Sequence, residues 1–249
     1  GVATLTMNRP AVSNAFNAEM IAEMTHALAI CASDHQIRLL ILRSSGQHFS
    51  AGADLNWMKS MARMSYEENR SDAACLSNLM HALYSLGKPT IARVNGASFG
   101  GAVGLIACCD MAFATDTATF CLSEVKLGLV PAVISPYVIK AIGQRNASRY
   151  FLTAEVFDVA SANGMGFLSA CCNEAELDAM IDKVSGLILK NGPQAVQQAK
   201  ALVQHVSDQP INDGIRNHTI DLIASIRVSE EGQEGLNAFL GKRKPAWGA

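Results

Sequence analysis

No stretch of this 249-residue sequence strings together the ~18–20 uncharged apolar residues of a membrane-spanning helix, although 49% of its residues are apolar. No association with a membrane is expected. Excess charge is missing as well: 20 Lys and Arg stand against 22 Asp and Glu. Without a global field there is no case for nucleic acid as a partner, and an anionic ligand must be met by a local basic cluster. None of the seven cysteines forms a C-x-x-C pair, and no two histidines stand at H-x-x-x-H spacing. A metal site is therefore not expected. The cysteine number is odd and four are vicinal, Cys108-Cys109 and Cys171-Cys172. They read as small buried hydrophobes in a reducing compartment. The sequence opens on VATLTMNRP, a strand-like alternation without the features of a signal or transit segment, so a cytoplasmic location is expected. Low-complexity segments and fixed-period repeats are also absent.

What is present alternates between strand and helix. Val2–Met7 reads as a strand ended by Asn8-Arg9-Pro10. Asn17 is placed to cap a helix running to about Ser33, with Met20, Met24, Ala27 and Leu28 on one face. Ile37–Leu42 and Thr90–Val94 read as buried strands, separated by a long helix from about Ser65 to Leu86. A short apolar helix follows at Gly101–Cys108, then short strands at Met111–Ala114 and Thr119–Leu122. Helices are expected at Val133–Ile142 and Ala147–Thr153. Beyond about residue 155 the pattern is almost wholly helical, to a basic end, GKRKPAW. The class is α/β, with a core over residues 1–190 and a helical region over 191–249 that packs on the core or on another subunit.

The stretch NGASFGGAVGLIACCD, residues 95–110, holds four glycines in its first ten positions, and two readings compete for it. Gly96-Ala97-Ser98-Phe99-Gly100 fits the G-x-S-x-G elbow of a serine hydrolase. The later histidines such an enzyme needs, His205 and His218, both fall in helical patterns, and no HGGG-type loop precedes the motif. The alternative takes Phe49-Ser50-Ala51-Gly52-Ala53-Asp54 and Gly100-Gly101 together. Loops at neighbouring strand ends of a parallel sheet converge on a crevice. One backbone N–H from each then meets at a single oxygen, the Gly101 group strengthened by the helix it begins.

Five segments together resemble the crotonase (enoyl-CoA hydratase/isomerase) superfamily: Asn8-Arg9-Pro10 with Ser13-Asn14-Ala15, FSAGADL, KPTIARVNGASFGGAVGL with CCD, FCLSEVKLGLVP, and AFLGKRK. They stand in the family's order and span nearly the whole chain. The resemblance implies a spiral of β-β-α turns assembled as a homotrimer or dimer of trimers, and an acyl-CoA thioester as substrate. Coenzyme A is then part of the substrate, and no permanently bound cofactor is implied. The family's oxyanion donors map onto the N–H groups of Ala53 and Gly101. Its CoA-contacting strip maps onto Ala53, Asp54 and Leu55, with Ala51 close to the adenine, and its phosphate-approaching end onto Lys242, Arg243 and Lys244. Trp57, Gly104 and Val133 are the expected pocket residues, and Glu124 is the one matched acid.

Two departures stand out. Family hydratases carry a second Glu three residues after the oxyanion glycine, where this chain has Gly104. That leaves room for a water, a neighbouring residue or a bulkier acyl chain. Where many members read P-G-A-G-G, this chain reads Pro131-Ala132-Val133-Ile134-Ser135. The run SEVKLGLVPAVISPYV is similar to members acting on methylglutaconyl-CoA in leucine breakdown, or on carboxygeranoyl-CoA. The expected activity is hydration of a branched 2-enoyl-CoA. The alternatives are a Δ3,Δ2-enoyl-CoA isomerase, a serine hydrolase using Ser98, or a non-catalytic acyl-CoA-binding relative.

Overall fold

The computed structural model describes residues 1–248. Five strands build one parallel sheet: β1 (Val2–Met7), β2 (Leu39–Ser44), β3 (Thr90–Val94), β5 (Met111–Thr115) and β8 (Ala170–Cys172), in the order β1-β2-β3-β5-β8. Three short strands form a second sheet, β4 (Ala97–Phe99), β6 (Thr119–Cys121) and β7 (Phe157–Asp158), with β4 and β6 parallel. The helices are α1 (Ala18–Ser33), α2 (Leu55–Met61), α3 (Tyr66–Tyr84), α4 (Gly101–Cys108), α5 (Ser135–Thr153), α6 (Val159–Gly164), α7 (Glu174–Leu189), α8 (Pro193–Val206), α9 (Asp213–Val228) and α10 (Glu230–Leu240).

A strand's side chains alternate between faces, and a parallel sheet covered on both sides is apolar throughout. Leu40, Leu42 and Ala92 point into the main core with residues of α1, α3 and α4. Leu39, Ile91 and Phe113 point the other way, onto Leu177 and Ile181 of α7. From β3, Arg93 adds an ionic clamp on α7, with Asp178 at 2.5 Å and Glu174 at 2.6 Å.

Local signals fix the helix starts. Asn17 accepts the Met20 N–H to begin α1, and Ser65 with Glu68 forms a reciprocal capping box at α3. The two helices expected around residue 143 are one element, α5, broken by Gly143 at φ 76°. The strand expected at Ile37–Leu42 lies two residues later.

The chain after residue 155 is almost wholly helical, as expected, but it also holds two short strands that the sequence did not show. Phe157–Asp158 and Ala170–Cys172 are strands, too short to show a period, and Ala170–Cys172 is an edge of the main sheet. The cysteine reading is also corrected. Cys31, Cys108 and Cys121 are buried, but Cys75 and Cys171 are exposed, and all seven are free.

The last three helices differ from the rest. No side chain of α8 or α9 is fully buried, and only Ala238 is in α10. Ile211, Val228 and Phe239 are 91%, 77% and 82% exposed. Lys200 ties α8 to the core through Asp110 (2.9 Å) and the Lys88 carbonyl (3.0 Å). No helix among the described residues is long and apolar enough to cross a membrane.

Candidate active site

Two loops meet where the first sheet hands over to the second. Ser50 pairs with Ser98: its N–H donates to the Ala97 carbonyl (3.1 Å), and its carbonyl accepts the Phe99 N–H (2.9 Å). Three residues beyond each member of that pair stand Ala53 and Gly101. Neither backbone N–H has an acceptor among the described residues. Phe16 holds the two together. Its N–H donates to the Gly52 carbonyl (2.7 Å), its carbonyl accepts the Asp54 N–H (2.8 Å), and its ring lies 3.2 Å from where a β-carbon on Gly101 would stand.

Behind the loops lies a buried polar web. Asn14 donates to the carbonyls of Ser45 (2.8 Å) and His48 (2.9 Å). Asn95 donates to the Gly46 carbonyl (2.9 Å) and accepts the Ser44 hydroxyl (3.0 Å). His48 Nδ1 accepts the Ala97 N–H at 3.2 Å. Fully bonded networks of this kind fix loop positions that apolar packing cannot.

The acid arrives by strand pairing. β4 and β6 run parallel with Phe99 opposite Cys121, and the Gly100 N–H donates to the Cys121 carbonyl (2.8 Å). Chains leaving parallel strands emerge at the same edge, so Gly101 after β4 faces Glu124 after β6. Gly100 adopts φ 55°, ψ −122°, a conformation open to glycine. A β-carbon built there would stand 3.2 Å from Glu124 Oε1. The acid therefore lies against bare backbone at the head of α4. Its Oε2 is buried with no hydrogen-bond partner among the described residues, and burial pushes its pKa above the ordinary carboxylate value. A half-buried carboxylate with one buried, unbonded oxygen, beside two free N–H donors, is equipped to move protons next to an oxyanion.

The other expected site residues fall into distinct environments. Ala51, Ala53 and Leu55 face outward, Leu55 at 74% exposure. Asp54 between them turns inward. Its carboxylate accepts the Asn56 N–H as cap of α2 and pairs with Arg9 at 3.0 Å. These bonds, the Asn56 N–H first, hold its pKa below the usual range. Trp57 is half-buried and donates to Asp72 (3.0 Å), fastening α2 to α3.

Lys242 and Lys244 are exposed, but Arg243 is engaged by Glu234 at 2.6 and 2.7 Å, which draws the Glu234 pKa to about 2. No hydrogen bond or ion pair among the described residues joins this end to the 51–55 strip.

The room expected beside Gly104 is filled. A β-carbon on Gly104 would stand 2.2 Å from Ile134 Cγ2, 2.7 Å from Ile134 Cβ and 3.3 Å from Met80 Cε. The neighbouring residue, not a water or a large acyl chain, takes the space. Val133 beside it is only half-buried. The two departures from the family pattern thus meet in space, Ile134 packing on Gly104. A glycine stands where the family has a large acid, and Ile134 stands where P-G-A-G-G has a glycine. Ile134 and Met80 were not among the expected site residues, though Ile134 lay inside a departure already quoted.

The hydrolase reading does not survive this geometry. Ser98 lies inside β4 rather than on a strand-to-helix turn, and it is fully buried with its hydroxyl unbonded among the described residues. His205 and His218 stack on each other with ring centroids 4.3 Å apart, on α8 and α9.

Comparison with known proteins agrees with the geometry. The family model for enoyl-CoA hydratase/isomerase matches residues 1–249. The chain is 31% identical to a crotonyl-CoA hydratase of Syntrophomonas wolfei, over 98% of this chain and 93% of that one. It is 30% identical to a 2,3-dehydroadipyl-CoA hydratase of Escherichia coli, over 98% and 94%. Among solved structures, an enoyl-CoA hydratase from Shewanella pealeana superposes with a TM-score of 0.96 at 49% identity, covering 99% of this chain and 92% of that one. The match runs through both sheets, both loops and the terminal helices, and the chain belongs to the enoyl-CoA hydratase/isomerase family of acyl-CoA-processing enzymes.

Proposed function

We propose that this enzyme hydrates a short, branched 2-enoyl-CoA of the methylglutaconyl type, with Glu124 as its sole acid–base group. The observation that carries the one-acid chemistry is the buried, unpartnered Glu124 Oε2 opposite a position 104 that holds no acid. The carboxylate takes a proton from water as the oxygen adds to the β-carbon. The thioester carbonyl receives the electron pair and becomes an enolate oxygen, held by the Ala53 and Gly101 N–H groups. The protonated Glu124 then returns its proton to the α-carbon, so one water is added and the carboxylate is regenerated. The similarity of SEVKLGLVPAVISPYV to methylglutaconyl-CoA hydratases supports the branched acyl group.

The coenzyme enters as part of the thioester, along the outward strip Ala51, Ala53 and Leu55, with Lys242 and Lys244 near its phosphates. The exposed apolar residues of α8–α10 support assembly into a homotrimer or dimer of trimers, since patches of that kind mark subunit contacts.

A single acid also favours a second reading, Δ3,Δ2-isomerisation, in which Glu124 carries one proton between the α- and γ-carbons. A panel of crotonyl, 3-enoyl and 3-methylglutaconyl thioesters, read by absorbance of the conjugated thioester and by product mass, separates the two. Gain of one water on the branched 2-enoyl ester supports hydration. A double-bond shift without mass change replaces it with isomerisation, and no turnover on any thioester removes the enzymatic reading.

A further inference from the structure

We infer that Ile134 is the floor of the acyl pocket and sets the length of acyl chain the enzyme accepts. The inference rests on the site built from Ala53, Gly101 and Glu124. Position 104 lies three residues, about 4.5 Å, beyond Gly101 along α4 and on a similar face. It is therefore the first surface an acyl chain meets when its thioester oxygen sits at the head of the helix. Ile134, 2% exposed, is lodged against that glycine, and Met80 closes the other side.

Met80 also reaches the next turn of α4, where its sulfur lies 3.8 Å from Cys108 Sγ. Cys108 lines a cavity of about 580 Å³ that runs between Tyr84 and Tyr137 toward Phe167 and Val203. The two tyrosine rings stand 5.2 Å apart at its wall. This space is mostly apolar, and neither the donors nor the acid lines it. A chain that passed Ile134 would enter a ready apolar channel, whereas one that cannot must end within a few carbons of the thioester. The exchange at positions 104 and 134 therefore does more than remove an acid: it puts an apolar stop across the path.

The test is a ladder of trans-2-enoyl-CoA esters of four, six, eight and ten carbons, assayed with the full chain and with Ile134→Ala and Ile134→Val. A mismatched methylene in a hydrophobic pocket is worth about 10-fold or more in discrimination. The ratio of kcat/KM for the eight-carbon to the four-carbon ester should rise by at least about that factor in Ile134→Ala, and by less in Ile134→Val. If Ile134→Ala does not fold, the Ile134→Val ladder decides. An unchanged ratio in the folded variant overturns the assignment. Binding of saturated butyryl- to decanoyl-CoA, read by calorimetry, gives an answer independent of turnover. A shift of the preferred length in the variant upholds the floor even if wild type hydrates nothing, and an identical binding ladder removes it.

Discussion

The two walls of the active site are built on opposite principles. On one side stand two free N–H groups and a half-buried carboxylate with one buried, unbonded oxygen, groups that folding leaves wanting partners. On the other, Gly104, Ile134 and Met80 interlock so closely that one added methyl would collide. The first wall costs stability and carries the groups proposed to perform the chemistry. The second contributes stability and shapes the space. An interior packed to crystal-like density cannot also supply unsatisfied groups, so the enzyme separates the two tasks across a single turn of α4.

Removing the acid gives the sharpest contrast. Glu124→Gln keeps the shape but cannot shuttle a proton, so turnover should fall ~10²–10⁴-fold. The same change should raise the melting temperature at neutral pH. Burial raises the Glu124 pKa, so the folded state holds its proton more tightly than the unfolded one. The stability this brings is complete below the unfolded pKa and lost as pH rises through the folded one. The variant's advantage should accordingly shrink as pH is lowered through that window, while wild-type kcat/KM declines there. Unchanged turnover in Glu124→Gln, or a fall in its melting temperature at neutral pH, would put the residue on the packing wall instead.

The opposing wall should answer in stability first. Gly104→Ala gains ~1 kcal/mol of helix propensity but forces Ile134 to move, at ~1–3 kcal/mol for overpacking. The net is a loss, and Ile134→Ala in the same chain should recover it. Urea titrations of the four proteins form a double-mutant cycle, with coupling expected between 0.5 and 3 kcal/mol, about the range for residues in contact. Additive effects would mean that the two positions do not touch. In the same spirit, Gly104→Glu alone should be destabilised. Gly104→Glu with Ile134→Gly should fold better and hydrate crotonyl-CoA faster than Gly104→Glu alone.

Smaller effects lie outside both walls. Neutralising Lys242 and Lys244 should raise KM for an acyl-CoA several-fold and leave the matching pantetheine thioester alone. The difference should fade with salt, because exposed charges are screened over ~10 Å at 0.1 M. Equal KM changes for both esters would take this end out of CoA recognition. Ser98→Ala should move turnover by no more than about two-fold, since loss of a functional acid–base group would cost ~10²-fold or more. A fluorophosphonate probe should leave Ser98 unlabelled, and labelling would reopen the hydrolase reading.

The groups of the proposed catalytic wall could be named from the sequence, because five short motifs stand in the family's order along the chain. A glycine at a helix start and a short motif after a strand show locally, whereas Glu124 stood out only through the order of all five motifs. Ile134 lay thirty residues from Gly104, and only the packing of α5 on α4 joins them. Each looked like an isolated departure. Phe16 escaped for a similar reason. Its role depends on bonds to Gly52 and Asp54, and nothing in its own neighbourhood announces them. The strands Phe157–Asp158 and Ala170–Cys172 were hidden because two or three residues show no period. Asp54 carries a bond its motif did not announce, the pairing of its carboxylate with Arg9.

The seating of Ile134 on Gly104 also constrains how such a chain can be reached by single substitutions. Between the pairing of a large acid at 104 with glycine at 134 and the pairing found here, two one-step routes exist. One places both large side chains in a cradle that does not admit even a single β-carbon beside Ile134. The other passes through two glycines, leaving a hole where neither an acid nor a floor stands. The intermediate on that route has a single acid and an open channel, a slow catalyst of broad chain length, and the isoleucine then narrows it.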